Sequence, residues 1–140
     1  MGRRGLDVLA RVPLFSGLSS RSLRKVLDLF EDARYMEGAT IVREGDPGDS
    51  FYVVLGGEAK VLNRAGKVIN RLVPGDFFGE ISLLDGGART ATIVAATPLV
   101  TIMLPRGKFR KMLQADSTIA VGMLRQLSAD LRRIQRSVAG

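Results

Sequence analysis

The 140-residue chain contains no cysteine, no histidine and no tryptophan. Without cysteine there are no disulfides and no thiol nucleophiles, and without histidine the commonest general base and the usual zinc ligands are absent. A carboxylate or lysine mechanism is the catalytic chemistry that remains, but acidic residues are scattered through turn sequences such as Glu44–Asp49. The sequence therefore predicts a protein that is not an enzyme and binds no metal.

A long apolar run and an apolar leader are also missing. No stretch approaches the roughly 20 residues that a membrane-spanning helix requires, and the start Met-Gly-Arg-Arg-Gly lacks the apolar region of a secretory signal. We therefore expect no membrane span and a cytoplasmic location. Hydrophobic residues make up 46% of the chain, which suffices for one compact domain with its own core but not for two.

Residues 1–32 favour helices. A helical i, i+3, i+4, i+7 spacing follows the capping candidates Ser19 and Ser20, and it is formed by Leu23, Val26, Leu27 and Phe30. A shorter helix is predicted over Leu6–Arg11, with Pro13 breaking the chain between the two. The sequence thus predicts a helical segment before residue 33.

From residue 33 to residue 104 the pattern changes to short β-branched and aromatic runs separated by glycine turns. The predicted strands are Thr40–Val42, Phe51–Leu55, Ala59–Leu62, Val68–Val73, Ala91–Ala95 and Leu99–Leu104. Asn63–Lys67 is predicted to be a hairpin loop, because Gly66 can adopt a positive φ. Helical patterns return in residues 105–140, with a longer helix from about Ser117. This order predicts a β-sandwich or barrel followed by helices.

The most informative stretch is Phe77–Thr92, FFGEISLLDGGARTAT. A phosphodiester needs backbone N–H groups, a helix end and a fork-shaped cation, and a glycine-led turn followed by Arg89 offers all three. Glu80 would repel a phosphate, so we expect it to accept a hydrogen bond from a neutral hydroxyl such as that of a ribose. Together these residues predict a nucleotide site.

At this point the sequence resembles a known family, the cyclic nucleotide-binding domain, from about Leu9 to Ile134. The segments Phe78–Leu84 and Ala88–Thr92 are similar to the family's phosphate-binding cassette without a gap, and the turns Glu44–Val54 and Pro74–Phe78 are typical of it. The resemblance implies a mainly β, α+β fold. This is an eight-stranded antiparallel β-roll with N-terminal helices, a short cassette helix within residues 78–92 and two C-terminal helices.

The resemblance also implies the roles of individual residues. Arg89 would pair with the cyclic phosphate and Glu80 would hold the ribose 2′-hydroxyl. The implied ligand-binding set is Gly79, Glu80, Ile81, Ser82, Arg89 and Thr90. No cofactor is expected, and the ligand would be cyclic AMP or cyclic GMP. Because a hydroxyl residue after the arginine occurs with either base, Thr90 leaves the base open, and we favour cyclic AMP.

The last helix has a narrow apolar seam with two interpretations. The seam, formed by Leu124, Leu127, Leu131, Ile134 and Val138, would pack on its own β-roll or against the same helix of a second subunit in a homodimer. Family members use this helix as a lid over the base, which makes Leu124 and Arg125 the candidate lid residues. No aromatic follows Phe109, so we expect an aliphatic or cationic cap.

The resemblance implies a sensor whose C-terminal helices move, acting on an effector outside these residues, such as an ion channel. We expect either a free-standing sensor or one excised from a larger protein. The formal net charge of +7 raises an alternative, a nucleic-acid-associated regulator. Reading a DNA sequence would need a further helix-turn-helix module, so we expect no sequence-specific DNA binding. A scaffold of the same fold without a ligand is the other alternative.

Overall fold

The structure, a computed structural model, describes residues 2–139, with side chains from residue 5 to residue 138. Two units can be distinguished by their internal packing. The β unit runs from Leu29 to Phe109, and the helical unit comprises the chain up to Asp28 and again from Arg110. Within the described residues, no helix is both long and apolar enough to cross a membrane.

Eight antiparallel strands form two four-stranded sheets in the β unit. The first sheet has the order β1-β8-β3-β6, and the second has the order β2-β7-β4-β5. The strands are β1 (Glu31–Tyr35), β2 (Thr40–Val42), β3 (Ser50–Gly56), β4 (Ala59–Leu62), β5 (Val68–Leu72), β6 (Phe77–Phe78), β7 (Thr92–Ala95) and β8 (Leu99–Pro105). The predicted eight-stranded antiparallel β-roll is therefore confirmed.

The two sheets share one apolar core. Its buried cluster draws on both sheets and comprises Val42, Tyr52, Val54, Ala59, Leu72, Ile93, Ala95 and Leu99. The central strand β3 is buried from Ser50 to Val54, because it lies between β8 and β6 and carries a continuous β-branched and aromatic run. Tyr52 stacks on Phe78 with ring centroids 4.8 Å apart, which attaches the short strand β6 to this core.

The hairpin predicted at Asn63–Lys67 is present between β4 and β5. Gly66 has φ +80°, and the Asn63 side-chain oxygen accepts the N–H groups of Ala65 and Lys67 at 3.0 Å. Two strands were missing from the sequence-based assignment. Strand β1 begins at Glu31, two residues before the predicted start of the β-roll, and β6 contains only Phe77 and Phe78.

Five helices are described: α1 (Gly2–Arg11), α2 (Ser20–Leu27), α3 (Ser82–Asp85), α4 (Arg106–Ala115) and α5 (Ser117–Ala139). Ser19 caps α2 by accepting the Ser22 N–H at 3.2 Å. In the helical unit, the Lys25 ammonium pairs with the Asp116 carboxylate at 2.8 Å. Helix α4 carries the chain from the β unit, which ends at Phe109, into the helical unit.

Candidate functional site

Gly79 ends β6 and turns the chain toward the cassette helix α3. Its φ is +88°, a conformation that favours glycine over every L-residue. A Cβ at this position would lie 2.6 Å from the Arg89 Nη1 and 2.8 Å from the Ser50 carbonyl oxygen. The glycine is therefore required both by the turn and by the close approach of Arg89.

The cassette helix α3 is a single turn that Leu83 anchors in the core, with 1% of its surface exposed. Ile81 is the N-cap residue and lies exposed to solvent. Gly86 ends the helix in the left-handed conformation, φ +65°, and its N–H donates to the Ser82 carbonyl at 2.9 Å. The backbone from Gly79 to Ser82 thus leads into a helix start, where the first N–H groups have no intrahelical acceptor.

Arg89 is buried, with 8% of its surface exposed. Its Nη2 donates to the Ser50 carbonyl at 2.8 Å and to the Ser50 hydroxyl at 3.4 Å, and lies 3.9 Å from the Asp49 carboxylate. Within the described residues, all these contacts come from Nη2, and a guanidinium has five N–H donors. The side chain is therefore held in place with donors left for an anion.

The main chain around Arg89 is fastened to the loop before β3. The Arg89 N–H donates to the Asp46 carbonyl at 2.8 Å, and the Gly45 N–H donates to the Arg89 carbonyl at 2.9 Å. The Gly48 N–H also donates to the Gly87 carbonyl at 2.9 Å. The turn Glu44–Asp49 therefore fixes the backbone of the cassette by hydrogen bonds, in addition to connecting β2 and β3.

A cavity of about 450 Å³ opens beside the cassette. This volume lies within the roughly 300–1,000 Å³ that is typical of small-molecule sites. Its walls combine an apolar floor with the predicted polar groups, and the lining includes Val42, Phe77, Phe78, Gly79, Glu80, Ile81, Ser82, Asp85, Arg89, Thr90 and Ile93. The structure thus brings all six predicted ligand-binding residues to one cavity.

The electrostatic pattern of the cavity suits a ligand with both an anionic and a neutral polar part. Arg89 is its cation, while Glu80 and Asp85 contribute carboxylates. Within residues 2–139 there is no cluster of acidic side chains that could hold a metal ion. The groups that line the cavity can form hydrogen bonds and charge pairs with a ligand.

The two candidate lid residues belong to a different part of the molecule. Leu124 and Arg125 lie on α5 in the helical unit, whereas the cavity is formed by the β unit. Both side chains are exposed, and 63% of the Leu124 surface is accessible. Their role as a lid stays a prediction.

Three residues at the site were not among the predicted ones: Asp49, Ser50 and Arg106. Ser50 is opposite Pro105 in the β3–β8 register, which brings the Arg106 N–H to the Asp49 carbonyl. The pairing of Pro47 with Ala88 brings Ser50 close to Arg89. The only signal in the sequence was the family-like turn that contains Asp49 and Ser50. Arg106 had no local signal, because its contacts depend on strand pairing.

Comparisons with known proteins identify the family to which the chain belongs. A family model described as the cyclic nucleotide-binding domain matches residues 33–116, more than half of the chain. The chain therefore belongs to the cyclic nucleotide-binding domain family, as its sequence predicted.

Among curated proteins, the chain is 41% identical over 108 residues to a cAMP-dependent protein kinase regulatory subunit from Colletotrichum orbiculare. That match covers 76% of this chain and 28% of the relative, so the chain spans about a quarter of the length of such relatives. A second such subunit, from Aspergillus niger, is 40% identical over 106 residues, covering 75% of this chain and 26% of the relative.

Among solved structures, one similar fold is the N-terminal domain of a transcriptional regulator from Streptomyces coelicolor A3(2). The TM-score is 0.81 with 32% identity, and the match covers 94% of this chain and 95% of that one. The regulatory domain of Toxoplasma gondii PKA, solved with cAMP, has a TM-score of 0.69 and 28% identity. That match covers 77% of this chain and 42% of the other.

Proposed function

We propose that this chain is a non-enzymatic sensor that binds cyclic AMP in the cavity beside α3. The observation that carries the proposal is the joint presence of Glu80 and a buried, pre-positioned Arg89 on one 450 Å³ cavity. The names of the kinase relatives and the cAMP in the Toxoplasma gondii structure support this ligand. Cyclic GMP is the second choice.

Arg89 binds the cyclic phosphate. The phosphodiester carries one negative charge, which one guanidinium can match, and a planar fork can contact two phosphate oxygens. The backbone of Gly79, Ile81 and Ser82 supplies N–H groups at the helix start, where the dipole also favours an anion. A linear monophosphate carries a second charge and should bind less well.

Glu80 binds the ribose. A carboxylate is an acceptor, so it suits a 2′-hydroxyl that donates, and it disfavours a second anion in the same place. Glu80 and Arg89 together therefore select a cyclic nucleotide over a simple phosphate.

The base lies toward the apolar part of the cavity. Val42 and Ile93 line this part and offer a surface for a purine, while Thr90 also lines the cavity and is exposed. A threonine can donate to or accept from either purine. Its position therefore favours neither base, and the preference for cyclic AMP depends on the relatives.

The output is a change in the C-terminal helices that reaches an effector outside these residues. Leu124 and Arg125 of α5 close over the base, and the residues after the β-roll, 105–140, act as hinge and lid. A ligand shifts such an equilibrium only by its difference in affinity between the two states. The names of the relatives suggest a protein kinase or the remainder of a transcriptional regulator as effector, and channel regulation stays a prediction.

A homodimer through α5 is part of the proposal. Leu131, Ile134 and Val138, beyond the lid residues, are each at least 59% exposed and recur at spacings of three and four, the spacing of a two-helix seam. Arg125, Arg132 and Arg136 fall on the opposite face at about 100° per residue. A second copy of this helix can therefore cover the seam without bringing these arginines together.

Titration calorimetry with cyclic AMP, cyclic GMP and linear AMP tests the central proposal. Wild type should bind a cyclic nucleotide more tightly than linear AMP, and Arg89→Ala should weaken binding by about 1.5–3 kcal/mol or more, the scale of a charged hydrogen bond. Arg71→Ala is the matched control, because Arg71, on β5, pairs with Glu58 and does not line the cavity. Silent calorimetry with both cyclic nucleotides would instead support the ligand-free scaffold.

A second function, polyanion binding, has one specific observation in its favour. The helical unit contains 12 of the 21 basic residues and 4 of the 14 acidic ones, a net charge of +8, whereas the β unit has 9 basic and 10 acidic residues. Nucleic-acid phosphates are the expected partner of such a surface. Loss of duplex DNA binding between about 50 and 200 mM salt would identify charge attraction without sequence reading.

A further inference from the structure

Arg106, the first residue of α4, contacts the C-terminal end of the cassette helix. Its Nη2 lies 3.4 Å from the Leu84 carbonyl oxygen, to which it donates. The guanidinium also covers Gly86, since a Cβ on that glycine would lie 3.0 Å from the Cζ and the Nη1 of Arg106. A cation at this end of a helix faces the carbonyls that have no intrahelical donor.

The backbone of the same residue is tied to the loop that holds Arg89. The Arg106 N–H donates to the Asp49 carbonyl at 2.8 Å, and the next residue, Ser50, accepts the Arg89 guanidinium through its carbonyl at 2.8 Å. Asp49 and the first residue of β3, Ser50, therefore bind two arginines, one in the cavity and one at the start of α4.

One atom of the Arg106 guanidinium is buried without a hydrogen bond to any residue that the structure describes. Its Nε is buried and has no hydrogen-bond partner within the described residues. A buried donor without an acceptor is unfavourable, so the side chain is held here by its contacts with Leu84 and Gly86. A displacement of α3 would change those contacts and the environment of Nε together.

Helix α4 is placed to carry such a change onward. It begins at Arg106 in the β unit, contains the fully buried Phe109, and continues from Arg110 in the helical unit. A hydrogen-bonded helix of ten residues moves as a unit, so a shift at its first residue affects its whole length. We propose that Arg106 is a positioning residue that transmits the state of the cassette helix to α4.

This inference rests on the proposed nucleotide binding, and Lys108 provides its control. Lys108 is a cation two residues later on α4, and it pairs with Glu31 at 2.9 Å. If only a positive charge near the start of α4 mattered, removing either cation would have the same effect on α4. If the contact with the cassette helix matters, only the removal of Arg106 would have that effect.

Hydrogen exchange measured by mass spectrometry tests the inference on wild type, Arg106→Ala, Arg106→Lys and Lys108→Ala, without nucleotide and with saturating cyclic AMP. In wild type and Lys108→Ala, cyclic AMP should slow exchange in both residues 79–90 and residues 106–115. In Arg106→Ala, saturating nucleotide should still protect residues 79–90, while protection of residues 106–115 falls to less than a third of the wild-type change. Arg106→Lys should recover part of it, because lysine keeps the charge at the Leu84 carbonyl but cannot cover Gly86 as a plane.

Equal protection of α4 in wild type and Arg106→Ala at saturation would overturn the inference. If wild type binds no cyclic nucleotide, the proposed function fails. In that case, the hydrogen exchange measured without nucleotide still tests whether Arg106 links α3 to α4. Exchange in residues 83–87 that is about tenfold faster in Arg106→Ala, but not in Lys108→Ala, would support the link between α3 and α4. Unchanged exchange there would overturn it.

Discussion

Gly79 and Arg89 are in such close contact that no side chain fits on the glycine: a Cβ there would lie 2.6 Å from the Arg89 Nη1. Nη1 is among the donors left for a phosphate once Nη2 is held by Ser50. The cassette therefore requires glycine at position 79 as much as it requires arginine at position 89. Binding strength should respond to changes at either residue.

Gly79→Ala should weaken cyclic AMP binding by more than about tenfold, because the methyl group displaces the guanidinium from its position. It also strains a backbone with φ +88°, a cost of order 1–3 kcal/mol in stability. Gly66→Ala is the matched control, since Gly66 has φ +80° but nothing within 4 Å of its added Cβ. Calorimetry and urea unfolding should show both variants destabilised and only Gly79→Ala impaired in binding.

Arg89→Lys separates charge from geometry. Lysine keeps the positive charge but lacks the planar fork that contacts both Ser50 and an anion, so its affinity should fall between those of wild type and Arg89→Ala. Calorimetry with cyclic AMP gives the three values. Wild-type affinity in the lysine variant would mean that a point charge suffices and that the Ser50 contact is irrelevant to binding.

Glu80 can be assigned to the ribose by a double-mutant cycle with the ligand. Glu80→Gln keeps an acceptor and should cost less than Arg89→Ala, while 2′-deoxy cyclic AMP should bind wild type more weakly than its parent. The two losses should not add, because Glu80→Gln weakens and the 2′-deoxy ligand removes the same hydrogen bond. Additive losses would place the 2′-hydroxyl away from Glu80.

The prediction of the fold from the sequence succeeded where local patterns determine structure. Strands β2 and β4 have the predicted bounds, since alternating β-branched runs end at turns there. Strand β1 was missed, because its sequence, EDARY, has three charged residues and its strand state depends on pairing with β8. Strand β6 has only two residues, too few for a periodic pattern.

The same distinction explains the site. Residues 79–90 are contiguous, so a linear motif could place the six ligand-binding candidates on one cavity. Arg106 reaches the Asp49 carbonyl through the antiparallel register of β3 with β8, in which Ser50 is opposite Pro105. Ser50 reaches Arg89 because the loop before β3 is hydrogen-bonded to residues 87–89 and Pro47 is paired with Ala88. The sequence alone does not tell which residues of two strands lie opposite each other. Contacts across strands were therefore the part that only the structure could supply.

The ion pair between Lys25 and Asp116 predicts a pH dependence of the helical unit. The hydrogen bond from Lys25 lowers the pKa of Asp116 below its ordinary value of 3.8. Since the folded pKa is the lower one, the stabilisation is fully present above pH 3.8 and is lost as the pH falls through the folded pKa. Lys25→Ala should raise the pKa of Asp116 toward 3.8 in a carboxyl NMR titration.

Lys111→Ala is the control for that titration, because Lys111 is a cation of the same unit that forms no ion pair within the described residues. It should leave the pKa of Asp116 where it is in wild type. A pKa of Asp116 that is unchanged in Lys25→Ala would show that the ion pair is not formed in solution.

The exposed seam of α5 predicts self-association. Leu131 and Ile134 are 62% and 59% exposed, and burying them against a second copy would remove apolar surface from water at about 25 cal/mol per Å². Sedimentation velocity over a range of protein concentrations should show a monomer–dimer equilibrium that Leu131→Glu shifts to monomer. Arg132→Gln, on the opposite face, should leave the equilibrium unchanged or strengthen it, because it removes like charge from both subunits. A wild type that stays monomeric at every concentration would contradict the predicted self-association, and equal dimerisation of Leu131→Glu would place the interface elsewhere.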